Sequence, residues 1–336
     1  GLRVFGPTKA AAQIEASKAF SKDLMKKNNI PTANYTNFSD VEEAKEYLRT
    51  CSYPTVVKAS GLAAGKGVII CENQEQAENA LNEIMSDKIF GSSGDTVVIE
   101  DFLQGQEVSI HALSDGNTAV IFPTSQDHKQ VYDGDQGPNT GGMGVIAPID
   151  WVTDSNMQTV KTKIVQPALD GLKNEGANFV GCLYPGLMIN GEDVNTVEFN
   201  ARFGDPETEV YMRLLDSDIV EIFESCVDGN LDPDNVQWKS GYAVTVVLAS
   251  GGYPKKYETG LPISGIDEAE KIDNVVVFHA GTKKNGDTYL TAGGRVLNVT
   301  ATGSTLDEAL ATAYKAVDLI HFEGMHYRTD IGRRPN

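Results

Sequence analysis

A glycine-rich loop between two apolar runs constrains this chain more than any other feature. Lys58-Ala59-Ser60-Gly61-Leu62-Ala63-Ala64-Gly65-Lys66-Gly67-Val68 has the small residues and lysines of a phosphate cradle. It is not a Walker A loop, which needs four residues between its glycines, Ser or Thr after its lysine, and a helix to follow. Here three residues separate Gly61 from Gly65, Gly67 follows Lys66, and apolar residues flank both sides. The expected arrangement is strand (55–59), loop, strand (68–71). Its backbone N–H groups can fold over phosphates. A plain hairpin with two solvated lysines fits the loop equally well when it is taken alone.

Around this loop the pattern predicts an α/β (α+β) chain. Helices are expected over about 8–28, from Ser39 with Glu42 as a capping box, and from Asn73 with Gln76. Strands are expected at 97–103 and 107–113, with a turn at Asp115-Gly116. Residues 125–144 carry five glycines and no periodicity, so they read as a long functional loop. A helix over 154–173 should kink at Pro167. A hairpin over 179–199 turns at Asn190-Gly191, and a helix is expected from 207 to 226. The last hundred residues read as a small α+β unit with strands at 243–249, 275–280 and 294–299. A helix capped by Thr305 and Glu308 closes it.

Charge and cysteines narrow the function classes. Lys and Arg total 28 against 47 Asp and Glu, a net charge of −19. Such a surface argues against non-specific binding to nucleic acid or anionic membranes. No apolar run is long enough for a membrane span. Cys51, Cys71, Cys182 and Cys226 form no C-x-x-C pair, which suits a reducing, cytoplasmic compartment. The chain opens on Gly1-Leu2-Arg3 rather than Met, as a piece of something longer would.

Four further stretches could carry chemistry. In Val197-Glu198-Phe199-Asn200-Ala201-Arg202 alternate residues share a face of a strand. Glu198, Asn200 and Arg202 then form one row, with oxygen ligands suited to Mg²⁺ and a guanidinium suited to an anion. A surface salt-bridge strip is the plainer reading. Glu100 and Glu107 could each end a strand beside a nucleotide, or simply face water. Asp127 and Lys129, with Thr140 and Gly142 in Gly137-Pro138-Asn139-Thr140-Gly141-Gly142-Met143-Gly144, could hold a small polar ligand. His128 beside them reads as structural. Arg295, after Gly293-Gly294, is a phosphate clamp or a plain surface charge.

In this order the motifs resemble the ATP-grasp ligases, and within them the phosphoribosylamine–glycine ligase (glycinamide ribonucleotide synthetase) family. Phe5-Gly6-Pro7, Ala16-Ser17-Lys18, the 57–68 string, Gln126-Asp127-His128-Lys129, the 137–144 string and the 198–207 string carry the resemblance. Phe278-His279-Ala280-Gly281-Thr282, the 293–297 string and Tyr327-Arg328-x-Asp330-Ile331-Gly332 extend it over essentially the whole chain. It implies an ATP-grasp fold with a small C-terminal α+β domain. The implied segments are 1–35 and 105–236 for the central domain, 36–104 for the lid and 237–336 for the C-terminal domain.

The resemblance also implies a reaction. ATP phosphorylates the glycine carboxylate, and the amine of 5-phosphoribosylamine attacks the glycyl phosphate. The products are glycinamide ribonucleotide, ADP and phosphate, in purine biosynthesis. By carry-over, Lys18, Lys58, Gly61, Gly65, Lys66 and Gly67 meet the ATP phosphates, Glu100 and Leu103 the adenine, and Glu107 the ribose. Glu198 and Asn200 hold Mg²⁺ or Mn²⁺, and Arg202 and Lys66 serve catalysis. Asp127, Lys129, Thr140, Gly142, Arg202, Asp205 and Arg295 are candidates for the two acceptor substrates.

Two departures from the family pattern stand out. The family's N-terminal domain, with its Gly-Gly-Arg-Glu-His phosphate motif, is not in this sequence, so the chain is expected to be inactive on its own. The strand 184–189 also carries no first metal carboxylate, so the number of metal ions stays open. A fused purine-pathway enzyme is a further expected partner. A carboxylase of another purine intermediate and a nucleotide-binding module without turnover remain as alternatives.

Overall fold

The computed structural model describes residues 2–63 and 67–333. Gly65 and Lys66, both expected at the phosphates, lie outside the described residues. Two compact units divide the chain. One comprises Gly1–Ile121, Val152–Arg202 and Val220–Pro233; the other comprises Phe122–Trp151, Phe203–Ile219 and Asp234–Asn336.

The first unit holds two antiparallel sheets. Four strands lie in the order Tyr35–Phe38, Val97–Asp101, Thr55–Ala59, Val68–Cys71. The expected strand–loop–strand flanking Gly61 is therefore present. Val57, Ala59, Val97 and Ile99 pack with Ala44 and Leu48 of helix Val41–Leu48 and with Ala77 and Leu81 of helix Gln74–Leu81. Each large apolar side chain so buried contributes about 1.5–3 kcal/mol, which holds the strand pair on its helices. In the second sheet the long strand Val180–Asn190 is central. Asp193–Asn200 pairs on one side, and Gln106–Ser109 and Ala112–Asp115 pair on the other. The hairpin turns at Gly191, whose φ of +60° suits glycine.

The second unit is built on a five-stranded sheet. Its order is Val275–His279, Arg295–Gly303, Tyr242–Ala249, Gly144–Ala147, Gln126–Asp127. Helices Leu306–Val317 and Glu207–Leu214 pack against it. The sheet of the last hundred residues thus extends into strands from the middle of the chain.

Several expected elements differ. The first helix breaks at Ser17, giving Gln13–Ala16 and Lys18–Lys27. Ser17 turns extended, and its hydroxyl accepts from the Phe20 N–H, so it caps the second piece. The next helix is capped by Asp40, not Ser39, whose hydroxyl is bonded to Thr96 instead. Residues 107–113 form two strands rather than one. The 207–226 helix ends at Leu214 and restarts at Ile219, because Leu215 goes extended and bridges to Trp238. Near Pro167 the helix widens to a π segment, Val160–Val165, since proline offers no N–H to the regular ladder. The stretch 125–144 is not one long loop. It holds Gln126–Asp127, Gln130–Tyr132 and Gln136–Asn139, strands too short to leave a periodicity. Among the described residues no helix is long and apolar enough to cross a membrane.

Candidate functional site

In the first unit, charged side chains converge where the Lys18–Lys27 helix meets the end of strand Thr55–Ala59. The Lys18 N–H donates to the Ser60 carbonyl at 2.8 Å, and the Ala19 N–H donates to the Ser60 hydroxyl at 3.1 Å. The helix start is thereby fixed to the root of the glycine loop. Lys18 Nζ donates to the Gly61 carbonyl at 3.4 Å. Gly61 N–H in turn donates to Ser93, and the Gly67 carbonyl accepts from Ala59. A side chain at Gly61 would collide with Ser93, its Cβ falling 2.6 Å from the Ser93 Cα.

Lys58 and Lys22 both form ion pairs with Glu100, and all three residues are buried. Lys22 also donates to the Thr32 hydroxyl at 2.7 Å, and Lys58 to the Val197 carbonyl at 3.4 Å. Burial lowers the pKa of Lys18 and Lys22, while Glu198 and Glu100 pull the other way. Three ammonium groups thus gather around Glu100 and Glu198. The sequence reading missed Lys22. Its signal was the i, i+4 spacing from Lys18, which puts both on one helix face.

Glu198 and Asn200 follow a bulge in strand Asp193–Asn200, where the register against Val180–Asn190 shifts. Asn200 Oδ1 accepts from Arg202 at 3.2 Å. Arg202 Nε donates to Glu15 at 2.9 Å, and Glu15 also accepts the Ala201 N–H at 2.8 Å. The Arg202 side chain stays 56% exposed, so its outer edge can take an anion. Glu15 was not singled out from the sequence. Among the described residues no three His, Cys, Asp or Glu groups form a complete metal cage. One carboxylate with an amide oxygen nevertheless fits Mg²⁺, which keeps few protein ligands and takes the rest from phosphates and water. Leu103 is half-buried just past strand Val97–Asp101, and Glu107 lies opposite Met188 in its strand pair.

In the second unit the remaining candidates form one network. Arg295 Nη1 donates to the carbonyls of Gly141 and Asp205, each at 2.7 Å, and Nη2 pairs with the Asp205 carboxylate at 3.1 Å. Gly142 has φ of +116°, and a Cβ there would lie 2.5 Å from Pro206 and 2.6 Å from the Asp127 carboxylate. The Thr140 hydroxyl donates to the Lys129 carbonyl at 2.8 Å and accepts from the Gly142 N–H at 2.9 Å. Asp127, Thr140, Gly142, Asp205 and Arg295 are thus held together, with the Lys129 backbone tied in. Tyr253, not foreseen, accepts from the Gly141 N–H at 3.1 Å.

His128 is structural, as expected. Gly332 N–H donates to its Nε2 at 3.1 Å, which leaves the Nδ1 proton for the Gly144 carbonyl at 3.2 Å. Burial, with Arg328 nearby, brings its pKa down to about 4, so the ring stays neutral.

A sequence profile described as "Phosphoribosylglycinamide synthetase, ATP-grasp (A) domain" matches residues 16–208, more than half of the chain. A second, for the C domain of the same enzyme, matches residues 243–334. The chain belongs to the phosphoribosylamine–glycine ligase family. A family member from Clostridium acetobutylicum, named phosphoribosylamine–glycine ligase, is 47% identical over 99% of this chain and 79% of its own length. A bifunctional purine biosynthetic protein of Dictyostelium discoideum is 46% identical over 99% of this chain, which spans only 44% of it. The crystal structure of the ligase from Thermotoga maritima superposes with a TM-score of 0.88 at 38% identity, over 98% of this chain and 82% of that one. The fold is accordingly ATP-grasp followed by a C-terminal domain.

Proposed function

We propose that this chain carries out the family's reaction as part of its whole polypeptide. ATP phosphorylates glycine on its carboxylate, and the amine of 5-phosphoribosylamine displaces phosphate from the glycyl phosphate. The observation that carries the reading is the pair of buried lysines, Lys22 and Lys58, on Glu100, with the half-buried Lys18 beside them at the root of the Gly61 loop. Phosphoryl transfer depends on positioning and on neutralising charge, and preorganised ammonium groups supply both without reorganising water.

In this reading Lys18 and Lys58 hold ATP phosphates, and Gly61, Gly65, Lys66 and Gly67 close over them within a lid of residues 36–104. Leu103 and the strand end at Glu100 take the adenine edge, and Glu107 the ribose. Glu198 and Asn200 hold Mg²⁺ or Mn²⁺, which when bound spreads the negative charge of the transferring phosphoryl group. Arg202 and Lys66 steady that charge. Asp127, Lys129, Thr140, Gly142, Asp205 and Arg295 orient glycine and phosphoribosylamine. Free cysteines suit a cytoplasmic setting.

The test is turnover by the complete polypeptide. ATP hydrolysis should require glycine and phosphoribosylamine together. Dependence on bicarbonate instead would make it a carboxylase. ATP binding without turnover under any of these conditions would leave a nucleotide-binding module.

A further inference from the structure

We propose that residues 326–332 act as a clasp that positions the acceptor loop, with Arg328 as the positioning residue. The inference rests on the reading of Asp127, Lys129, Thr140 and Gly142 as substrate contacts. Arg328 is 1% exposed, and its whole guanidinium is engaged. Nε and Nη2 donate to the two oxygens of Asp330, each at 2.7 Å. Nη1 donates to Asp135 at 2.8 Å and to the Gln130 carbonyl at 3.2 Å. Such forked pairing fixes orientation in a way a lysine cannot.

Neighbouring residues repeat the grip. Asp330 accepts the Gly134 N–H at 2.8 Å, and Asp133 accepts the Thr329 N–H at 2.8 Å. His326 Nε2 bonds the Val131 carbonyl at 2.7 Å, and Gly332 bonds His128. The clasp is itself anchored, because Tyr314 of helix Leu306–Val317 donates to the Arg328 carbonyl at 2.9 Å. Residues 128, 130, 131, 133, 134 and 135 are therefore all held from one segment. The hold passes on to the candidate contacts: Lys129 lies between two clasped residues, its carbonyl fixes Thr140, and Thr140 fixes Gly142. None of the clasp residues is among the proposed ATP or metal contacts.

Arg328→Lys in the complete polypeptide should raise the KM of an acceptor substrate roughly 10- to 100-fold, as small misplacements of binding groups do. The KM for ATP should stay within about two-fold, since its proposed contacts are untouched. Amide exchange across 128–140 should quicken. Asp133→Ala, at an exposed position, should show the same split more weakly and guards against a misfolded Arg328 variant. Parallel loss for ATP and acceptor in both variants would make the segment merely structural and overturn the inference. So would unchanged acceptor KM in Arg328→Lys while Asp127→Asn is impaired. If Asp127→Asn itself leaves the acceptor KM unchanged, the reading of the loop fails and takes the inference with it.

Discussion

Lys58 and Glu100 pair diagonally across two neighbouring strands, each with its side chain only 4% exposed. Val56 sits opposite Glu100 in the register, and Lys58 is two residues further along, within the reach of a long side chain. Lys22 reaches the same carboxylate from its helix. Removing the carboxylate leaves two ammonium groups buried without it. Glu100→Gln should therefore cost about 3–5 kcal/mol of unfolding free energy, the usual penalty for half a buried ion pair. Urea unfolding measures it, and a loss under about 1 kcal/mol would mean that water already reaches the lysines.

The proposed metal ligation rests on a single carboxylate, so it should be fragile. Glu198→Gln should raise the Mg²⁺ concentration for half-maximal turnover at least roughly ten-fold. A Mg²⁺ titration at saturating ATP is the measurement. An unchanged midpoint would move the metal to other ligands.

Gly142 combines a left-handed φ with close neighbours. Gly142→Ala adds backbone strain of about 1–3 kcal/mol and drives a methyl group into Pro206 and Asp127. Acceptor KM should rise while ATP binding, followed by calorimetry, is retained. Normal acceptor kinetics in this variant would detach Gly142 from the substrate site.

Acid should weaken the fold early. His128, with a pKa brought to about 4, and His111, brought by burial to about 3, are neutral in the folded chain. In the unfolded chain both titrate near 6.5. Their contribution is complete above pH 6.5 and is lost as pH falls from there toward 4, at up to about 1.4 kcal/mol per pH unit for each. Asp330 acts lower: burial notwithstanding, its bonds from Arg328 and Gly134 hold its pKa near 2, so its share fades only below the ordinary aspartate range. Chemical denaturation between pH 7 and 4 should show the slope, and His128→Gln should reduce it. A flat profile would mean that the rings are solvated.

The candidate site was legible where chemistry lies close together in sequence. Glu198 and Asn200 alternate at one strand end with Arg202 two residues beyond it, and the loop from Gly61 announces itself by composition. The hairpin through Gly191 was legible too, since its strands are long enough to show alternation. What was hidden depends on distant partners. Ser17 interrupts a good helical pattern because Ser60, 43 residues on, meets the helix there. The strands of 126–139 are too short to print a period and are held by residues nearly 200 positions later. Arg328 stood in the sequence only as part of the Tyr327–Gly332 string, and its role is visible only once Asp135, 193 positions earlier, is placed against it.

That separation orders events in time. Asp133, Gly134 and Asp135 leave the ribosome nearly 200 residues ahead of the side chains that will hold them. At usual rates of synthesis this is a wait of roughly ten to forty seconds. During it the glycine-rich stretch has no Arg328 to close around. If the proposed acceptor role of this loop holds, finishing it last ties acceptor binding to completion of the C-terminal domain, whereas the lysine group around Glu100 needs nothing beyond residue 198.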